Sequence, residues 1–254
     1  MKAPNPNWLE HPKKRKLKLI KSKNENNNLE LKIDNAAGNP YRAKDGKFTF
    51  GPGGSGSGQS DGAGDLEEAR QTAIDGFDSI GLALEIDDDM TANEINIMSN
   101  KILKYGVPKV PAQVWEDISD ARAVSEIQFM HKKSTNSNAN GDYDLNTGVI
   151  RIFWEEARMG LPSQHKIPSV FVHEIGHAYD RALGGGRMIS DSDASIQKAY
   201  NAYKNTPWNN IVTNYAKTNS REFFADSFME RYIGSGFYKG SPEMNEFFTK
   251  RIEE

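Results

Sequence analysis

His173 and His177 stand four residues apart in Val172-His173-Glu174-Ile175-Gly176-His177-Ala178-Tyr179-Asp180, within a stretch whose apolar residues recur at helical spacing. No other feature constrains the chain so tightly. Side chains four apart lie one turn apart on one helix face, so both imidazoles reach a single ion if this stretch is helical. Phe171, Ile175, Ala178 and Ala182 supply an apolar face, and Gly184-Gly185-Gly186 supplies the stop. Glu174 is rotated about 100° from His173. From there a carboxylate sits beside a metal and takes a proton from water instead of binding the ion. This arrangement is the zinc signature of a class of hydrolases. The bland alternative is a surface helix with two solvated histidines, and the apolar residues flanking both of them argue against it.

The chain has no cysteine. That excludes a disulfide framework, a cysteine-based zinc ribbon and a cysteine nucleophile together. A metal must therefore be held by His, Asp and Glu. The other histidines, His11, His131 and His165, have no matching spacing and read as structural or exposed. A catalytic zinc takes three protein ligands and keeps one position for water. No histidine follows His177, so a third ligand on the C-terminal side has to be acidic.

The best segment for it is Asn219-Ser220-Arg221-Glu222-Phe223-Phe224-Ala225-Asp226-Ser227-Phe228. Glu222 and Asp226 fall one turn apart on one face, with aromatic residues for packing. Glu222 is either the third ligand or the closing residue of a capping box with Asn219. Asp226 either orients a ligand imidazole through its second nitrogen or is a solvated helix carboxylate. Asp180, nearly a turn beyond His177, is a lesser candidate for similar support.

These two blocks resemble the catalytic domain of anthrax lethal factor and its relatives, a family of zinc metallopeptidases that is also similar to the clostridial Pro-Pro endopeptidases. The likeness rests on His173 to Asp180 and on Asn214-Tyr215-Ala216-Lys217-Thr218-Asn219-Ser220-Arg221-Glu222-Phe223-Phe224-Ala225-Asp226-Ser227-Phe228. It is specific over about residues 165 to 235. The resemblance implies one Zn2+ held by His173, His177 and Glu222, with Glu174 as general base. It also puts Tyr215 at the family's catalytic tyrosine position, where its hydroxyl donates to the developing oxyanion. Asp226 stands where the family commonly has a longer Glu.

Elsewhere the chain divides by composition. Residues 1–64 read as a disordered tail. Lys13 to Lys23 carries seven basic residues, Asn24 to Asn28 is wholly polar, and Gly51 to Gly64 has the Gly/Ser content of a flexible linker. The basic run is expected to be a solvated arm or to contact an anionic surface. A mean hydropathy of -0.71 agrees with part of the chain lying outside any core. The net charge of -3 is unremarkable and says nothing about a nucleic-acid partner.

Residues 65–254 read as the folded domain, expected to be α+β and mainly helical, a zincin-type metallopeptidase fold with a small β-sheet. Leu66, Ala69, Ala73, Phe77 and Ile80 mark a first helix. Thr91-Ala92-Asn93-Glu94 opens a second as a capping box, and Pro111 a third, with Val114, Trp115, Ile118 and Ala121 buried. Ser125 to His131 and Gly148 to Trp154 are the strand signals, with a polar loop from Ser134 to Asn146 between them. Further helices are expected at 168–183, 193–204, 220–233 and 242–251. The strand at Val149 to Phe153 is expected to pair with an extended substrate.

No apolar run of signal-peptide length follows Met1, and no window approaches a membrane span. If the chain leaves a cell, an extracellular location is expected by another route, or as cargo of a larger particle. Ala37 to Thr49 is similar to short segments of phage head-morphogenesis proteins and their fused cargo, which implies delivery with a phage-like particle. Two functions follow. One is a toxin- or effector-like zinc endopeptidase acting on protein substrates. The other is a phage- or particle-associated interaction protein whose zinc module has little activity.

Overall fold

A computed structural model describes residues 19–23, 29–33, 63–132, 139–157, 166–205, 213–234 and 240–253. The chain divides into two compact units, Met1–Gln59 and Ser60–Glu254. In the first, β1 (Leu19–Lys23) and β2 (Leu29–Ile33) form an antiparallel ladder, with Leu19 opposite Ile33 and Lys23 opposite Leu29. This ladder lies inside the segment whose composition suggests a tail. Leu29, Leu31 and Ile33 alternate with Glu30 and Lys32, a period-two signal that the preceding basic and Asn-rich runs obscure. Residues 1–18, 24–28 and 34–62, which include His11, the 37–49 segment and most of the Gly/Ser run, lie outside the described residues, as does His165.

The second unit begins with α1 (Ala63–Asp78), whose Ala69, Ala73 and Phe77 are buried. A short strand, β3 (Leu84–Ile86), follows; its three residues are too few to give a sequence signal. Next comes α2 (Ala92–Lys101). The expected capping box opens it: the Glu94 amide donates to Thr91 Oγ1, and the Thr91 amide donates to Glu94 Oε2. Its end relaxes into a π-helical turn at Ile102–Gly106 before Val107 and Pro108. Pro111 stands just before α3 (Ala112–Asp120), which buries Val114 and Ile118. Ala121 is exposed, contrary to the sequence expectation, because the helix ends at that residue and Arg122 turns to positive φ.

The sheet of this unit has four strands in the order β3-β4-β6-β5, where β4 is Glu126–Met130, β5 is Gly141–Tyr143 and β6 is Val149–Phe153. β4 runs parallel to both β3 and β6, and β5 closes the edge antiparallel to β6. β6 is therefore hydrogen-bonded on both sides, so the expectation that it pairs with a substrate is corrected. The outer strands are β3 and β5, and β5, the one beside β6, lies in the stretch that reads as a polar loop.

Alternation gives the sheet two unlike faces. Ile127, Phe129, Ile150 and Ile152 are buried, and Phe129 meets Phe77 edge-on at 5.4 Å. On the other face Gln128 donates to Glu85 and Glu126, and Arg151 joins Gln128 to Asp142.

After a one-turn helix, α4 (Trp154–Ala157), the chain enters α5 (Lys166–Leu183). Phe171 to Asp180 are buried without a break, so α5 is a central core helix and not a surface one. Gly185 and Gly186 then take positive φ and end it at the predicted place. Asp193 caps α6 (Ala194–Lys204), Asn219 caps α7 (Ser220–Tyr232), and Ser241 caps α8 (Pro242–Phe248). Phe224, Phe228 and Tyr232 on α7 pack around Phe248, with ring centroids 5.2, 5.6 and 6.3 Å away. The unit is thus α+β and mostly helical. Among the described residues, no helix is long and apolar enough to cross a membrane.

Candidate metal centre

α5 carries His173 and His177 inward, and α7 lies directly against it. Gly176 makes the close approach possible: a Cβ there would stand 2.9 Å from the Ala225 Cα and 3.2 Å from its carbonyl oxygen. At that separation Glu222, in the first turn of α7, reaches both imidazoles. Its Oε2 lies 3.2 Å from His173 Nε2 and 3.3 Å from His177 Nε2. Among the described residues, these three are the group whose ligand atoms could hold one ion, all lying within 4.8 Å of one another.

The donor set fits zinc. Nitrogen and carboxylate ligands about 2.1 Å from a tetrahedral ion stand ~3.4 Å apart, close to the two distances found here. Neutral imidazole nitrogens with one carboxylate also suit the borderline character of that ion.

Asn219 and Glu222 divide two jobs that the sequence leaves open between them. Asn219 Oδ1 accepts from the amides of Arg221 and Glu222, both at 3.0 Å, and so caps α7. The Glu222 carboxylate turns instead to the histidines. Asp226, one turn on, is buried with its Oδ1 3.0 Å from His173 Nδ1. Its Oδ2 accepts from the Thr213 hydroxyl. Asp226 is therefore no solvated helix carboxylate. It holds the far nitrogen of the ring whose Nε2 faces Glu222, which is the support a metal-bound histidine usually has.

The two imidazoles differ electrostatically although both touch Glu222. Burial opposes charge on His173, yet bonds to Asp226 and Glu222 outweigh it and hold the pKa well above the ordinary histidine range. His177 lacks the second carboxylate, so burial wins and lowers its pKa. Burial also opposes charge on Glu222, but both imidazoles hold its carboxyl well below the usual range. A carboxylate that stays ionised is what a metal ligand must be.

Glu174 is buried close to this triad, and burial pushes its pKa up to about 8. Gly141 of β5 makes room for it. A Cβ at 141 would lie 2.9 Å from Glu174 Oε1, 2.8 Å from Val170 Cγ1 and 2.9 Å from the Arg151 carbonyl oxygen. Tyr215 comes from the turn before α7. It is half exposed, and its ring centroid is 5.8 Å from that of His173. Burial first, then the Glu222 and Glu174 carboxylates, raise its pKa and keep the phenol protonated.

No protein-family model and no curated protein matches the chain.

All six residues singled out from the sequence (His173, Glu174, His177, Tyr215, Glu222 and Asp226) come together. Asp180 does not join them as a support for an imidazole. It is fully buried, and its carboxylate accepts from the Ser190 amide at 2.8 Å and the Ser190 hydroxyl at 2.5 Å. His131 lies apart, between Glu94 at 3.4 Å and Glu155 at 3.7 Å. Thr213 and Gly141 escape the sequence argument. A threonine three residues before the amide it caps is a common turn device, and that was the available signal for Thr213. Gly141 sits in a segment rich in Asn, Asp and Gly, where one glycine does not stand out.

Proposed function

We propose that this chain is a zinc-dependent endopeptidase of the lethal-factor-like kind, with a zincin-type fold, acting on protein substrates in the manner of a toxin or effector. The observation that carries this is the convergence of His173 Nε2, His177 Nε2 and Glu222 Oε2 beside a buried carboxylate, Glu174, that ligates nothing. An interaction module needs no such carboxylate, nor a tyrosine leaning over a ligand.

His173, His177 and Glu222 would hold the ion. When bound, zinc supplies Lewis-acid chemistry, lowering the pKa of a water molecule and polarising a carbonyl. The remaining work falls to the chain. Glu174 takes a proton from the attacking water as oxygen bonds to the carbonyl carbon. It passes that proton to the amine as the C–N bond breaks. A base that is poised near neutrality serves both halves of that transfer. The Tyr215 hydroxyl, kept protonated, donates to the carbonyl oxygen as it becomes negative. The free edge of β5, beside Glu174, offers backbone groups to an extended peptide.

Cleavage of a peptide library by the purified full chain tests this, with a chelator control and with Glu174→Gln alongside. The wild type should cleave, and both the chelator and the substitution should stop it. Absence of cleavage by the zinc-loaded wild type, or chelator-resistant cleavage, overturns the proposal.

A further inference from the structure

Thr213 is absent from the motif argument, yet its hydroxyl is the junction between two parts of the site. The Ala216 amide donates to Thr213 Oγ1 at 2.8 Å. An amide can only donate, so the hydroxyl must accept there and give its own proton elsewhere. Its partner is Asp226 Oδ2. The other oxygen, Oδ1, is then left to His173 Nδ1 at 3.0 Å. A chain of hydrogen bonds thus links a backbone amide, the Thr213 hydroxyl, the Asp226 carboxylate and a ligand imidazole, with the carboxylate accepting from both sides. It fixes the carboxylate's rotation and directs the His173 Nε2 lone pair toward Glu222 and His177.

The same amide belongs to the residue after Tyr215. The Thr213–Ala216 bond closes the turn from which Tyr215 projects, and the Thr218 amide tightens it by donating to the Tyr215 carbonyl at 2.9 Å. Tyr200 braces the far side, its hydroxyl donating to the Lys217 carbonyl at 3.2 Å. One hydroxyl therefore touches both the support of a metal ligand and the turn bearing the proposed oxyanion donor.

We infer that Thr213 is a positioning residue that sets the orientation of His173, through Asp226, and the placement of Tyr215 together. This rests on the metal-centre function proposed above. Thr213→Val keeps the shape and removes the hydroxyl, and Thr213→Ser restores it.

Zinc affinity of the full chain, by competition with a chelator, should fall roughly 10- to 100-fold in Thr213→Val, the usual cost of losing an outer partner. It should return to within about twofold in Thr213→Ser. Proton NMR of the histidine rings provides a readout independent of activity and of metal. The His173 Nδ1–H signal, held downfield by Asp226, should move upfield and exchange faster in Thr213→Val and recover in Thr213→Ser. In the cleavage assay Thr213→Val should lower kcat more than it raises KM. Unchanged zinc affinity or an unchanged His173 signal in a folded Thr213→Val chain overturns the inference. If the wild type itself takes up no zinc, the proposed function falls, while the ring spectra of the metal-free chain still decide the role of Thr213.

Discussion

Gly176 of α5 faces Ala225 of α7 so closely that a side chain at 176 would stand 2.9 Å from the Ala225 Cα. The atom in the way is backbone, which cannot rotate aside. Gly176→Ala should therefore push the helices apart and cost about 1–3 kcal/mol, the usual penalty of overpacking. It should also weaken zinc binding, because Glu222 reaches the histidines only at the present separation. Urea unfolding measures the first effect and zinc titration the second. A variant with the wild-type midpoint and affinity would show that the contact is not limiting.

Gly141 and Glu174 make a second tight pair, across the boundary between β5 and α5. A methyl group at 141 competes for the space of the Glu174 carboxylate. Gly141→Ala should misplace the proposed base and lower kcat by about 100-fold, the scale of a small displacement of a reacting group. Zinc affinity should hold, since no ligand is touched. Loss of both together would place the damage in the fold instead.

Tyr215→Phe removes a single hydroxyl from a half-exposed ring. Loss of an oxyanion donor costs roughly 10²- to 10³-fold in kcat. Folding and zinc affinity should be unaffected. A Phe variant with near-normal kcat contradicts the proposed role of Tyr215.

Asp180 gives a pH dependence of stability that is separable from the metal. Burial pushes its pKa up to about 7 from an ordinary value of 3.8. Between those values the folded chain holds more protons than the unfolded one, so this group's contribution to stability falls as pH rises from about 4 to about 7 and is level above. Asp180→Asn cannot lose a proton and should lack that decline. Thermal unfolding of metal-free wild type and variant across pH 4–8 should give curves that diverge through this window. Parallel curves contradict the assignment.

The candidate metal centre is legible because its parts are local in sequence. His173 and His177 share a helix face, Glu222 and Asp226 share another, and only the docking of α5 on α7 was needed to join them. The caps at Thr91 and Asn219 follow from local chemistry in the same way. What escaped depends on non-local pairing. β3 and β5 have three residues each and exist because longer strands, β4 and β6, offer them edges. The strand at Val149 to Phe153 precedes the histidine helix and so reads as the substrate edge, but it is paired on both sides. Ala121 was assigned to the core because helical periodicity was carried past the point where the backbone turns at Arg122. The role of Thr213 escapes for a similar reason: its turn signal does not reveal the bond to Asp226, which is adjacent only once α7 is packed.

The central claim is that Glu222 completes a zinc site with His173 and His177, and calorimetric titration of the metal-free full chain with zinc tests it most directly. The wild type should bind one zinc per chain, and Glu222→Ala should lose more affinity than the roughly 10- to 100-fold typical of an outer partner. No zinc uptake by the wild type, or a Glu222→Ala chain that titrates with the wild-type affinity, would contradict it.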